Sequence, residues 1–191
     1  IGTFKIIWCL SGYAQHKAYP FSEFVAVALM NKYPDIMIYT VGDELCELLE
    51  WRHNQTRNYA GKWSVRKTML MTKYANLIIS PETFVLNAAG AFDTPKIALL
   101  SHSTEENLTK YFKNCISITG KAECYPCHKL HYTQETCQVD DMTFACKCMS
   151  TLSPDDLFKT IEKEYKKWKG IDYGEDIRTT ENVSWQLPGQ V

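Results

Sequence analysis

Apolar, β-rich runs alternate with helix-period runs along most of this chain, and no other feature narrows its fold so far. Phe4 to Leu10 is a nearly continuous apolar run, the pattern of a strand buried on both faces of a parallel sheet. Phe21, Phe24, Val25, Ala28 and Leu29 recur at helical spacing and predict a helix to about Lys32. Pro34-Asp35 breaks the chain, Ile36 to Val41 reads as a second buried strand, and Gly42 turns it. Asp43 to Trp51 then reads as a second helix with acidic residues at its N-terminus. After a polar stretch through Arg57, Ser64 is placed to cap a helix to about Tyr74, and Asn76 to Ser80 is a short strand. Ala-rich Thr83 to Ala91 predicts a tightly packed helix. Asp93-Thr94-Pro95 turns the chain into the strand Lys96 to Leu100, followed by a polar Ser101-His102-Ser103-Thr104 loop. Counted as six and ending at Cys115 to Ile118, the strands imply a doubly wound parallel α/β sheet. The last clear element starts at Ser153 as cap, with Pro154 at its first position and Asp156 completing a capping box. Its apolar stripe is Leu157, Phe158, Ile161, Tyr165 and Trp168.

With 191 residues, 45% of them apolar, the chain can bury a real core, and disorder is excluded as a description of the whole. Lys and Arg number 21 against 22 Asp and Glu, for a formal net charge of -1, so there is no global basic field for nucleic acid. No apolar run is long enough to span a bilayer, and Ile1 to Leu10 lacks the layout of a signal peptide. The chain begins at Ile1 and runs almost directly into a strand, so a piece of a longer protein is expected. Residues 1–169 are expected to form one Rossmann-like domain carrying a Cys-rich loop at 121–149, with 170–191 as a polar, aperiodic tail. The Asn-x-Ser/Thr triplets at Asn54, Asn107 and Asn182 are expected by chance. Trp8, Trp51, Trp63, Trp168 and Trp185 are spread too widely to suggest one stacking surface.

In an open α/β sheet, ligands bind beyond the carboxyl ends of the strands, where loops and helix N-termini converge. Ser11-Gly12-Tyr13-Ala14-Gln15-His16-Lys17, Gly42-Asp43-Glu44, Ser80-Pro81-Glu82-Thr83 and Ser101 to Thr104 lie at that edge. The first joins a glycine, small polar groups and a lysine just before a helix, which suits a phosphate; an ordinary turn with a solvated lysine is the plain alternative. In the third, Glu82 and Thr83 open a helix of small residues that can pack closely on the sheet, although Thr83 could equally be a simple N-cap.

Taken in order, these segments resemble the C-terminal half of glycosyltransferase family 9, the ADP-heptose:lipopolysaccharide heptosyltransferases, over roughly Lys5 to Tyr165. The family's Gly-x(n)-Lys-x-Trp/Tyr-Pro segment is similar to Gly12 through Lys17-Ala18-Tyr19-Pro20. Its Gly-x-Glu resembles Gly42-Asp43-Glu44, and its Asp-Thr-Gly-x-x-His-x-Ala-Ala block aligns with Glu82-Thr83-Phe84-Val85-Leu86-Asn87-Ala88-Ala89. The Thr-Pro-x-Val-x-Leu that follows aligns with Thr94-Pro95-Lys96-Ile97-Ala98-Leu99. Three positions depart from the pattern: Glu82 for Asp, Phe84 for Gly and Asn87 for His. An Asn can still donate one hydrogen bond to a phosphate oxygen, but it cannot become cationic.

The resemblance implies the C-terminal half of a GT-B enzyme: a donor-binding domain for metal-independent, inverting sugar transfer, whose catalytic base belongs to a missing N-terminal domain. Ser11, Gly12, Tyr13, Lys17, Glu44, Glu82, Thr83 and Asn87 are then the donor-binding residues, with Lys17 on the phosphates and Glu44 on the nucleoside or sugar. It further implies ADP-heptose or a similar nucleotide-sugar, a glycan or lipopolysaccharide-type acceptor, no cofactor for catalysis, and a cytoplasmic place or one peripheral to the inner membrane. The rival is a non-catalytic α/β binding module with a structural zinc or cysteine loop.

Five of the eight cysteines fall in one short window: Cys124, Cys127, Cys137, Cys146 and Cys148. Tetrahedral zinc needs four Cys or His ligands, which this window supplies, with His128 and His131 in reserve. Disulfides or free buried thiols are the alternatives. A thioredoxin-like centre is disfavoured, because Cys124-Tyr125-Pro126-Cys127 follows the sixth strand and opens no helical stripe.

Overall fold

The computed structural model of the chain describes residues 2–12, 14–128 and 137–171. Strands β1 (Phe4–Cys9), β2 (Ile36–Val41), β3 (Thr56–Asn58), β4 (Leu77–Pro81), β5 (Lys96–Leu100) and β6 (Cys115–Thr119) form one sheet in the order β3-β2-β1-β4-β5-β6. Every neighbouring pair is parallel. The connecting helices are α1 (Ser22–Lys32), α2 (Glu44–Glu47), α3 (Val65–Thr72), α4 (Phe84–Gly90) and α5 (Glu105–Leu108); α6 (Lys147–Ser150) and α7 (Pro154–Lys169) follow β6. The fold is the expected doubly wound, Rossmann-like α/β sheet, with its topological switch point between β1 and β4.

Alternation along β1 sends its side chains into cores on opposite faces of the sheet. Phe4, Ile6, Trp8 and Leu10 join the larger core beneath α1 and α7, while Ile7 and Cys9 face the opposite side with Val41, Cys46, Ile78, Val85 and Ala89. The stripe on α7 buries Leu157, Phe158, Ile161 and Tyr165, and Phe4 packs edge-on to Tyr165 with ring centroids 5.4 Å apart. Side-chain caps set the helix starts: Ser64 accepts from the Lys67 N–H, Thr83 from the Val85 N–H and Ser153 from the Asp156 N–H.

Two elements differ from the sequence reading. The second helix is a single turn rather than Asp43 to Trp51, because Glu50 and Trp51 turn back to the protein. Glu50 Oε1 accepts from Thr40 Oγ1 at 2.6 Å and from the Ala60 N–H at 2.9 Å, and the buried Trp51 meets Trp8 edge-on. The third strand is a three-residue edge strand inside the polar stretch, where so short an element carries no alternating pattern. No helix among the described residues is long and apolar enough to cross a membrane.

Candidate functional site

The loops after β1, β2 and β4 enclose a pocket of about 320 Å³ at the switch point, with Ser11, Gly12, Lys17, Asp43, Thr83 and Asn87 in its wall and Cys9 at its base. Lys17 closes a 3₁₀ turn, Gln15–Lys17, and its ammonium donates to the main-chain carbonyl of Glu82 at 2.8 Å. Gly12 permits this approach: a Cβ there would meet Thr83 Cγ2 at 3.0 Å and Lys17 Cδ at 3.2 Å. Burial pulls the Lys17 pKa below the usual lysine value, an effect that Glu82 and Cys9 partly oppose. An anion in the pocket would therefore meet a cation already stripped of part of its water.

Glu82 contributes through its main chain to this pocket and through its carboxylate to the next loop. Oε1 accepts from the backbone N–H groups of His102 at 3.1 Å and Ser103 at 2.9 Å; Oε2 accepts from Ser101 Oγ at 2.5 Å and lies 2.7 Å from His102 Nδ1. Burial alone would raise its pKa, but the hydrogen bonds from His102 and Ser101, with the Ser103 N–H, outweigh it and hold Glu82 below the usual carboxylate range. The carboxylate thus fastens the β4 loop to the β5 loop.

Beyond His102 lies a second, smaller cavity of about 50 Å³, lined by His16, His102 and all five clustered cysteines, Cys124, Cys127, Cys137, Cys146 and Cys148. The His16 and His102 rings meet edge-on with centroids 5.4 Å apart, and His16 Nε2 is buried without a hydrogen-bond partner among the described residues. The cysteine segment is tied to the sheet by Tyr125 Oη donating to the Ser103 carbonyl at 2.8 Å and by the His128 N–H donating to the His102 carbonyl at 3.0 Å. Burial, with Cys137 and other thiols nearby, pushes both Cys146 and Cys148 up to about 12. Soft thiolate donors suit zinc or iron, and the donor set fits such an ion in composition. Among the described residues no three ligand groups stand together at metal-holding positions.

Seven donor-site residues named from sequence fall among the described residues, and six of them, Ser11, Gly12, Lys17, Glu82, Thr83 and Asn87, come together around the pocket. Glu44 does not line it; the exposed Glu44 opens α2, and Asp43, which caps that turn, faces the pocket instead. Tyr13 and His131 lie outside the described residues, as do residues 172–191 with Asn182 and Trp185. Cys9 and Cys46, which the fold buries together, and the bridging role of His102 carry no signal in the sequence.

No protein-family model matches the chain, and no curated protein matches it by sequence. Solved structures do. Heptosyltransferase TibC, described as dodecameric and iron-containing and in complex with ADP-D-β-D-heptose, matches 89% of this chain with a TM-score of 0.65 at 12% identity. A glycosyl transferase family 9 protein from Veillonella parvula matches 86% with a TM-score of 0.64 at 14% identity. ADP-heptose lipopolysaccharide heptosyltransferase II of E. coli matches 86% with a TM-score of 0.61 at 12% identity. The shared fold is that of family 9 heptosyltransferases. The chain spans about half of each, 47%, 46% and 47% of their lengths in that order.

Proposed function

We propose that this chain is the donor-binding domain of a heptosyltransferase-like glycosyltransferase, holding a nucleoside diphosphate-sugar in the pocket between β1 and β4. The observation that carries the reading is the Lys17 ammonium, half-buried and fixed on the Glu82 carbonyl at the switch point of the sheet. Fold similarity to heptosyltransferases of family 9 supports it.

In this reading, inverting transfer needs no metal. An acceptor hydroxyl on a glycan, of the lipopolysaccharide type, attacks the anomeric carbon; the new C–O bond forms as the bond to the diphosphate breaks, and the electron pair leaves with the nucleoside diphosphate. Lys17 offsets the charge that develops there, and Ser11, Thr83 and Asn87 offer hydrogen bonds to the phosphates or sugar. The proton of the hydroxyl goes to a base on a second, N-terminal domain facing this one. Tyr13 and Glu44 remain proposed donor contacts, and the whole would work on the cytoplasmic side, in solution or against the inner membrane.

The cysteine loop has a separate role. Cys124, Cys127, Cys137 and one of Cys146 or Cys148 would hold a structural zinc or, as in the neighbour described as iron-containing, an iron. Such an ion would cross-link the loop and supply no group to the transfer.

Calorimetric titration of the purified chain with ADP, UDP and GDP, beside Lys17→Ala, tests the donor reading. Binding of one nucleotide, lost in the variant, is expected. A folded chain that binds none of the three would sink it and favour a non-catalytic binding module. Phe84 supports that rival: it is 40% exposed at the start of α4, beside Asn87, and borders an apolar groove between α3 and α4.

A further inference from the structure

We infer that Cys9 and Cys46 form a redox-modification site beneath the pocket, a dithiol that a peroxide closes to a disulfide. Cys9 ends β1 and Cys46 sits in the single turn of α2, yet their thiols converge: both Sγ atoms lie within hydrogen-bond reach of the one Ser11 carbonyl, at 3.0 and 3.2 Å. Gly42 completes the geometry. A Cβ at that position would lie 2.3 Å from Cys46 Sγ and 3.7 Å from Cys9 Sγ, so the two sulfurs border space that only a glycine leaves free. Cys9, though only 1% exposed, also lines the pocket beside Gly12 and Lys17, the side from which a molecule as small as hydrogen peroxide would have to reach it.

The surroundings favour Cys9 as the attacking sulfur. The hydrogen bond from Cys46, with others from Thr83 and Ser80, lowers its pKa against the opposing effect of burial, while the same contact with Cys9 and burial raise that of Cys46. The Cys9 thiolate attacks one peroxide oxygen, the O–O bond breaks, and the departing hydroxide takes a proton to become water. Cys46 then attacks the sulfenic sulfur, its thiol proton is lost, and a second water leaves as the S–S bond forms. Two thiols have given two electrons and two protons, and one peroxide has become two waters.

Closure has a consequence for the pocket that rests on the donor-domain reading. It removes both S–H donors from the buried Ser11 carbonyl, at the start of the turn that leads to Lys17. The loop must then find new partners, and nucleotide affinity falls.

The test treats the reduced 191-residue chain with hydrogen peroxide, alkylates the remaining thiols after unfolding, and maps the digest by mass spectrometry. Cys115, a half-buried thiol on β6 outside the cysteine cavity, serves as the internal gauge of oxidation. The expected product is a peptide pair joined through Cys9 and Cys46. In Cys46→Ser the pair is absent and Cys9 stops at a sulfenic acid that dimedone traps. Cys9 and Cys46 both remaining free once Cys115 is oxidised, or Cys9 joined to a different cysteine, overturns the proposal. In parallel, the linked chain should bind ADP about tenfold or more weakly than the reduced one, the scale of one lost hydrogen bond to a charged partner. Equal affinity of the two forms overturns the regulatory consequence. A reduced chain that binds no nucleotide overturns the donor reading instead, and the thiol site is then judged on the linked peptides.

Discussion

The Lys17 ammonium donates to the backbone carbonyl of Glu82, and the carboxylate of that same Glu82 grips the loop from Ser101 to Ser103. One residue therefore registers three chain segments, those after β1, β4 and β5, at a single edge of the sheet. Its side chain reaches away from the pocket and toward His102, so Glu82 serves as a positioning residue for Lys17.

Glu82→Gln should accordingly lower stability by about 1–3 kcal/mol, the cost of leaving a buried hydrogen-bonding group without a proper partner. The amide keeps one acceptor oxygen but turns an N–H toward His102 or Ser101, where an acceptor is now needed. Denaturant melts of variant and parent measure the loss. Equal midpoints would show that the loops hold together without the carboxylate.

How far the sequence revealed this arrangement depended on the length of each element. The long apolar strands β1 and β2 and the capped helix α7 were legible, because period, cap and burial all agree there. Lys17 and Thr83 were legible through their place at strand ends. Asp43 was not separated from Glu44, since a one-turn helix has no periodicity to show which residue faces inward. Nothing in the sequence singles out Cys9 and Cys46: their meeting depends on the sheet order and on the sharp turn at Gly42, neither of which is local. The gathering of Cys124 to Cys148 was read as one cluster, but its meeting with His16 and His102 is a tertiary fact.

Gly42 has φ of 141°, outside the range that residues with a Cβ adopt, and a Cβ there would lie 2.3 Å from Cys46 Sγ. Backbone strain and overpacking together should make Gly42→Ala cost about 2–4 kcal/mol. Part of this cost comes from the sulfur, so the same substitution made on Cys46→Ala should cost measurably less. A double-mutant cycle in urea reads the difference, and strictly additive effects would mean that the sulfur does not crowd this turn.

Acid should loosen the packing of α1 on α7. Burial alone would raise the pKa of Glu162, but hydrogen bonds from Tyr33, Lys32 and Lys166 prevail and hold it at about 2, against an ordinary value of 4.5. A carboxylate with a lowered folded-state pKa contributes stability that is fully present above its unfolded pKa and is lost as pH falls through the folded one. The window is therefore from about pH 4.5 down to about 2. Stability measured against pH should fall across it in the parent chain, and Glu162→Gln should be less stable at neutral pH with a shallower fall. Parallel curves for the two would exclude Glu162 as a contributor to the acid response.

The cysteine cavity offers a prediction independent of the nucleotide. Thiols that crowd one another in a small buried space resist ionising, as the raised values at Cys146 and Cys148 show, and a divalent cation reverses that by binding the thiolates. The chain purified without chelator should carry about one zinc or iron per molecule, the stoichiometry of a single four-thiolate site. Cys127→Ser should lose most of it, with a lower melting temperature, because the loop between β6 and α6 is then tied to the β5 loop by hydrogen bonds to Ser103 and His102 without the ion's cross-link. Cys115, on strand β6 and outside the cavity, provides the control: Cys115→Ser should leave metal content unchanged. Elemental analysis decides the matter, and a metal-free chain whose cavity cysteines all react as thiols would assign the cluster to packing alone.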